Sequence, residues 1–187
     1  MVTRMVVTAM RRLVGVAMVV GLMSGAGAAW AGPGPEKTLG GKVLVSDKKF
    51  PTYAKSVAAY VSALRKVGKT QLVENKATKG WKVYIAAFFK RPIDDIEIVV
   101  KLYDISNGTR ALMTSFEQYL DQRGQTALLS NFTLERKLVG VNKQLLLTVE
   151  VKGNVVASGK FKITGEAERF TGKADFSDED AKSNDDE

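Results

Sequence analysis

The sequence predicts a mainly β protein, an antiparallel β-sandwich of about eight strands with one short covering helix. Short stretches of alternating apolar and polar residues recur at roughly 8–12-residue intervals, which is the spacing of sandwich strands. Turn signals at Asn107-Gly108 and Gly153-Asn154 separate pairs of these stretches. Only residues 56–67 show a clear helical spacing of three and four residues.

The first 31 residues have the three parts of a secretory signal peptide. Three arginines precede an apolar run over residues 13–23, and the small residues after it end at Ala31 in the pattern A-W-A. These features predict export and cleavage after Ala31. The alternative is an uncleaved anchor, but the apolar run is shorter than the ~20 residues that span a membrane. We therefore expect a periplasmic or extracellular protein with no transmembrane span after cleavage.

The chain after Ala31 divides into three parts. Residues 32–41 contain four glycines and two prolines, which predicts a flexible linker. Residues 42–175 hold the remaining strand and helix patterns and are expected to form one β-sandwich domain. Residues 176–187 have no apolar periodicity and many acidic residues, so we expect a disordered acidic tail.

The predicted helix is amphipathic. Ser56 can cap its start and Gly68 can end it. The apolar residues on one face are Val57, Tyr60, Val61 and Leu64. Because such a stripe must be buried, we expect the helix to cover one side of the sheet. Short strands are predicted on either side of it, at residues 42–46 and 70–74.

Two strands are predicted in the middle of the chain, at residues 81–89 and 96–105. Arg91-Pro92 is expected to end the first, because proline cannot donate to a sheet ladder. Alternation in the second places every other residue from Ile96 to Leu102 on the core side.

Asn107-Gly108 is the strongest local turn signal. Both residues tolerate positive φ, which a type I′ hairpin turn requires at its two central positions. We expect residues 109–119 to pair antiparallel with the strand before the turn, with Leu112 and Phe116 facing the core.

The second half of the chain resembles immunoglobulin-like sandwiches in its hairpin-rich pattern. The Cys…Trp…Cys signature of true immunoglobulin domains is absent, so the resemblance is limited to the pattern. A loop is predicted around Gly140. The strands predicted here are residues 125–134, 143–151 and 155–163, with an edge strand at 166–175.

Charge is distributed unevenly along the chain, whose formal net charge is +8. The last thirteen residues hold seven acidic residues and one lysine, whereas residues 32–174 hold 24 basic and 13 acidic residues. A basic exported protein can bind anionic polymers or surfaces, such as lipid headgroups, cell-wall polymers or DNA. The simpler interpretation is that the excess lysine solvates the outside of the sheet.

The residue inventory argues against common catalytic chemistry. The chain has no His and no Cys, which removes nucleophile–imidazole pairs and the usual zinc ligands. A Ser-Lys or carboxylate pair remains open on paper. We expect a protein that is not an enzyme and needs no cofactor.

Carboxylates are most concentrated in one stretch of the body, at Asp94, Asp95, Glu97 and Asp104. They could form a weak calcium site, because hard cations bind several oxygens. No spaced calcium-loop motif is present, and Asp in a turn commonly bonds its own backbone. We therefore favour turn chemistry over a metal.

One set of basic and aromatic residues could form a binding surface if its strands were neighbours in the sheet. Interleaved lysines and aromatic rings suit nucleic acids and other polyanions. The alternative is that Tyr84 and Phe88 are packed beneath the helix. The six candidates are Lys82, Tyr84, Phe88, Lys90, Lys101 and Tyr103.

These observations predict a secreted, non-enzymatic protein of the cell envelope that acts by binding or as a structural component. A binder of an anionic polymer or membrane surface is the second hypothesis, and a carboxylate-based hydrolase is the third. The partner is undetermined; an envelope protein or an anionic polymer would fit.

Overall fold

The computed structural model describes residues 34–166. The predicted signal peptide and the predicted acidic tail lie outside the described residues. The predicted edge strand also lies outside them, except for Glu166. Residues 36–39 of the predicted linker form a short helix, and Leu39 within it is buried.

Residues 34–166 form eight strands and three helices. The strands are β1 (Lys42–Ser46), β2 (Gln71–Val73), β3 (Gly80–Ile93), β4 (Glu97–Asp104), β5 (Ala111–Tyr119), β6 (Gln125–Glu135), β7 (Gln144–Val151) and β8 (Asn154–Thr164). The helices are α1 (Glu36–Leu39), α2 (Val57–Val67) and α3 (Arg136–Val139).

All eight strands belong to one mixed sheet that curls into a half-barrel. The order is β5-β4-β7-β8-β1-β3-β6, and β2 pairs with β8 beyond the end of β1. The pairs β1–β8 and β2–β8 are parallel, and the other pairs are antiparallel.

The mainly β class is confirmed, but the arrangement of the strands differs from the prediction. One curled mixed sheet takes the place of two facing antiparallel layers, and the immunoglobulin-like sandwich is not confirmed. Alternation shows that one face of a strand is buried, and a curled sheet can bury that face against its own far end. The pattern therefore could not distinguish the two architectures.

The concave face of the sheet encloses the main core. Alternate residues of β3, β4 and β7 form its centre, including Val83, Val100 and Leu147, all fully buried. Strands from both ends of the sheet contribute to this single cluster, with Phe116 from β5 and Phe132 from β6. The fold therefore depends on curvature, which brings its first and last strands together.

Helix α2 covers part of the convex face, as predicted. Its N-cap Ser56 accepts a hydrogen bond from the Ala59 N–H at 3.2 Å, and Gly68 ends it. Leu64 and Phe88 of β3 belong to the same hydrophobic cluster, and both are fully buried. A second, smaller core thus lies outside the half-barrel.

Two expectations about the central strands are wrong. β3 does not end at Arg91-Pro92 but continues to Ile93. Proline is tolerated because the pairing with β6 is interrupted between Phe88 and Ile93, so no ladder bond is lost there. Ile96, expected inside, precedes β4 and is 43 % exposed.

The β4–β5 hairpin is confirmed, but its turn is not type I′. Asp104 pairs with Ala111, which leaves a loop of six residues, and only Gly108 of the predicted turn has positive φ. Asp104 Oδ1 accepts from the Ser106 N–H at 2.9 Å and holds the wider loop. A register shift also places Leu112 opposite Tyr103, where it is 56 % exposed rather than buried.

The tight turn belongs instead to the β7–β8 hairpin. Val151 pairs with Asn154, so the two central residues are Lys152 and Gly153. Both have positive φ, at 49° and 81°, as a type I′ turn requires. The hairpin was predicted here, but its turn lies one residue earlier than Gly153-Asn154.

Candidate anion-binding groove

An open groove of about 520 Å³ lies beside the C-terminal half of β8. Strand β8 pairs with β1 at Ser158 and with β2 from Lys162 onward, and the groove follows this change of partner. Its lining residues are Thr70, Ser106, Asn142, Gln144, Lys160, Phe161 and Lys162.

The alternation of β8 places two lysines on the outer side of the sheet. Phe161 and Ile163 are buried in the main core. Lys160 and Lys162 therefore project from the opposite face, and both are exposed. Gly159 lets β8 approach β1, because a Cβ at this position would collide with the backbone carbonyl of Val43.

Loops from three parts of the chain supply the polar walls. The Ser106 hydroxyl accepts from the Gln144 N–H at 2.9 Å, which ties the β4–β5 loop to the start of β7. The Lys162 N–H donates to the Thr70 carbonyl at 2.8 Å and fixes the other wall. Asn142 is in the left-handed region, with φ of 57°. Residues with hydroxyl and amide side chains thus line the same groove as the two lysines.

The two lysines differ from the other cations near them. Within residues 34–166, neither Lys160 nor Lys162 forms an ion pair with a carboxylate. Lys143, by contrast, lies 2.7 Å from Asp104 Oδ2. This bond, together with hydrogen bonds from Ser106, lowers the pKa of Asp104 to about 2.

No carboxylate is among the groove's lining residues, so its electrostatic character is cationic and polar. Two lysine amines beside hydroxyl and amide donors can bind the oxygens of a phosphate or a carboxylate. The described part of the chain contains no group of three or more potential metal ligands placed to hold an ion. The lysine, hydroxyl and amide side chains that line the groove are the groups that suit it to an anion.

The six residues of the predicted basic and aromatic surface do not form one face. Lys101 and Tyr103 lie on β4, and the others lie on β3, with β7, β8 and β1 between them in the sheet. Phe88 is fully buried beneath α2, and Tyr84 packs at the same cluster. Local pairings remain: the Lys82 amine lies 5.5 Å from the centre of the Tyr84 ring.

Lys101 and Lys90 have different surroundings. The Lys101 amine contacts Glu150 Oε2 at 2.6 Å, and this hydrogen bond raises the pKa of Lys101. Glu150 is only 6 % exposed, whereas the Lys101 side chain is 30 % exposed, so the carboxylate is enclosed and the lysine reaches it from the solvent side. Lys90 is exposed near α1, where its side chain passes Gly41.

The carboxylate stretch forms local turns and ion pairs. Asp95 Oδ1 accepts from the Glu97 N–H at 3.3 Å, and Lys152 reaches the other oxygen. Both contacts lower the pKa of Asp95, the backbone bond more strongly. Asp104 has the same arrangement with Ser106 and Lys143. The bond from the Glu97 N–H to Asp95 is the kind of turn bond that the sequence predicted there, and the two lysines add ion pairs.

Sequence reasoning predicted the strand that carries Lys160 and Lys162 but missed the groove. Thr70, Ser106 and Asn142 are up to 72 residues apart in the chain and reach the groove through the strand order. The parallel pairing of β2 with β8 creates the site, and alternation contains no signal for it. The available signal was limited to two lysines two residues apart on a half-buried strand.

Comparison with protein-family models and with curated proteins gives no match for this chain. Any functional inference therefore rests on the residues and their geometry. None of the helices formed by residues 34–166 has the length and apolar character needed to cross a bilayer.

Proposed function

We propose that this protein is an exported, non-enzymatic binding module of the cell envelope that holds an anionic polymer in the groove beside β8. The observation that carries the proposal is the pair Lys160 and Lys162, which share a polar groove and have no carboxylate partner among residues 34–166. Export is supported by the signal-peptide pattern of the first 31 residues.

The physical basis is the contrast between paired and unpaired lysines. A lysine already bonded to a carboxylate must lose that bond before it can bind another anion. Lys160 and Lys162 have no such bond to lose. A single exposed amine binds a single anionic group only weakly. The groove therefore favours a ligand with many negative groups, because such a ligand can also contact other lysines of the basic body and gains affinity from each contact.

A matched pair of double variants tests the proposal. Lys160→Gln with Lys162→Gln removes two charges from the groove, whereas Lys48→Gln with Lys49→Gln removes two exposed charges from the loop after β1. Long-chain polyphosphate is the probe, and binding is measured by fluorescence anisotropy at physiological salt. We expect about tenfold weaker binding for the groove variant, since two contacts of about 0.7 kcal/mol each are lost.

The loop variant has the same net charge as the groove variant, so the comparison separates the effect of where the lysines lie from the effect of total charge. Equal weakening in both variants would mean that binding follows net charge, and the groove proposal would be abandoned. No binding by the unaltered protein at physiological salt would end the anionic-polymer proposal altogether. Anionic lipid vesicles serve as the comparison probe, and preferential binding to them would transfer the role to a membrane surface.

A further inference from the structure

The two end strands of the sheet face each other across an open seam. β5 and β6 are consecutive in the chain, yet they occupy opposite ends of the strand order and share no backbone pairing. Only side-chain contacts bridge them: the rings of Phe116 and Phe132 lie 5.3 Å apart, and the Ser130 hydroxyl donates to the Gln118 side-chain oxygen. Each strand therefore has a free edge at the seam.

These free edges lack the usual protection against pairing. Isolated strand edges in natural proteins carry lysines, prolines or other charges that prevent another strand from adding. The twenty residues of β5 and β6 contain no lysine and no proline, and their only charged residues are Glu117 and Glu135. The chain as a whole is 26 % charged. Such edges are expected where a further strand covers them.

We propose that residues 169–176 of this same chain bind between β5 and β6 as a ninth strand and close the half-barrel. The segment reads R-F-T-G-K-A-D-F and alternates strictly. One face carries Phe170, Gly172, Ala174 and Phe176, and the other carries Arg169, Thr171, Lys173 and Asp175. This is the pattern of a strand with one face in a core.

Charge favours the same placement. The only charges on β5 and β6 are acidic, and the polar face of the segment carries two basic residues, Arg169 and Lys173. Glu117 pairs in register with Val99, which is outside the main core, so its carboxylate is on the outer side of the sheet. A strand with Phe170 inside places its basic residues on that outer side as well.

The chain leaves the described residues at a suitable position. Arg136 directly follows the last residue of β6, and its guanidinium donates to the Glu166 carbonyl at 2.6 Å. The four residues from Glu166 to Phe170 span up to about 13 Å, more than the roughly 10 Å of two strand spacings. If residues 169–176 turn back along β6, they run antiparallel to it. As an extended strand they would be about 26 Å long, close to the length of the nine-residue β5.

Two neighbouring substitutions in the full-length protein test this placement. Phe170→Asp puts a charge on the predicted inner face, and Thr171→Asp puts the same charge on the outer face. Amide hydrogen exchange is measured across β5, β6 and β7. We expect Phe170→Asp to speed exchange in β5 and β6 roughly tenfold and to lower Tm by about 5 °C, with β7 little changed. Thr171→Asp should leave exchange near that of the unaltered protein.

Truncations provide a second, independent measurement. Removal of residues 178–187 takes away six acidic residues but spares the proposed strand, whereas removal of residues 167–187 takes away both. Only the longer truncation should expose β5 and β6. Unchanged exchange in Phe170→Asp and in the longer truncation would overturn the proposal. Protection that rises with protein concentration would also overturn it, because a second copy would then fill the seam. None of these outcomes depends on anion binding in the groove.

Discussion

The Asp104 carboxylate bonds both the β4–β5 loop and the residue before β7, and it makes the stability of the fold depend on pH. Its two oxygens are occupied by different partners, the Ser106 N–H at 2.9 Å and the Lys143 amine at 2.7 Å. Both partners favour the charged form, and the pKa of Asp104 falls from 3.8 to about 2. A carboxylate whose pKa is lower in the folded state stabilises the fold at pH values above its unfolded pKa.

The corresponding prediction concerns Asp104→Asn. In the unaltered protein, the Asp104 carboxylate makes its full contribution to the free energy of unfolding above about pH 4, and this contribution is lost as the pH falls through about 2. We expect the variant to be less stable by about 1 kcal/mol at pH 7, allowing for partial solvent screening, and the difference to vanish near pH 2. Urea unfolding at a series of pH values measures this. Asp94→Asn is the control, because Asp94 is exposed and forms no ion pair within residues 34–166.

At the scale of elements, the contact between β8 and β1 depends on a single glycine. The two strands run parallel and pair only at Lys42 and Ser158. A Cβ at Gly159 would strike the Val43 carbonyl, which is backbone and cannot rotate away. The close approach of these strands therefore requires the absence of a side chain.

We expect Gly159→Ala to destabilise the protein by about 2 to 3 kcal/mol, the upper part of the range for overpacking a core, because the atom it meets is backbone. The matched control is Gly153→Asn, which changes a glycine in the β7–β8 turn where no atom lies within 4 Å of the added Cβ. Asparagine tolerates positive φ, so its cost should be well under about 1 kcal/mol. Chemical denaturation of both variants measures the contrast; equal stabilities would show that β8 and β1 can separate without loss.

The elements that the sequence predicted well are those with a local cause. Ser56, the apolar stripe and Gly68 were sufficient to place α2, and alternation was sufficient to place β7 and β8 to within one residue at each end. The type I′ turn was assigned to the wrong hairpin because side-chain bonds from Asp104 and Ser106 hold the first loop open. The bond from the Gln144 N–H to Ser106 depends on a strand that is distant in sequence, and so does the groove.

At the scale of the whole molecule, the contact of Phe116 with Phe132 joins the first strand of the sheet to the last. Their rings are 5.3 Å apart and tilted by 57°, a geometry that adds about 0.5 to 1.5 kcal/mol beyond burial. We therefore expect this contact to help hold the curvature of the sheet.

A double-mutant cycle with Phe116→Leu and Phe132→Leu measures that closure. Leucine keeps most of the apolar volume, so the coupling reports the ring contact rather than a cavity. We expect a coupling energy of about 0.5 to 1.5 kcal/mol from urea unfolding. Strictly additive single variants would indicate that the sheet keeps its curvature without this pair.

The position of β8 in the sheet has a consequence for the order of assembly. The last described strand lies in the middle of the sheet, between β7 on one edge and β1 and β2 on the other. β8 is synthesised after the other seven strands of residues 34–166, so its pairings with β1 and β2 join residues more than ninety positions apart. Pairing over such separations is slow. We therefore expect the sheet of residues 34–166 to be completed only after β8 has been synthesised, with β2 left unpaired until then.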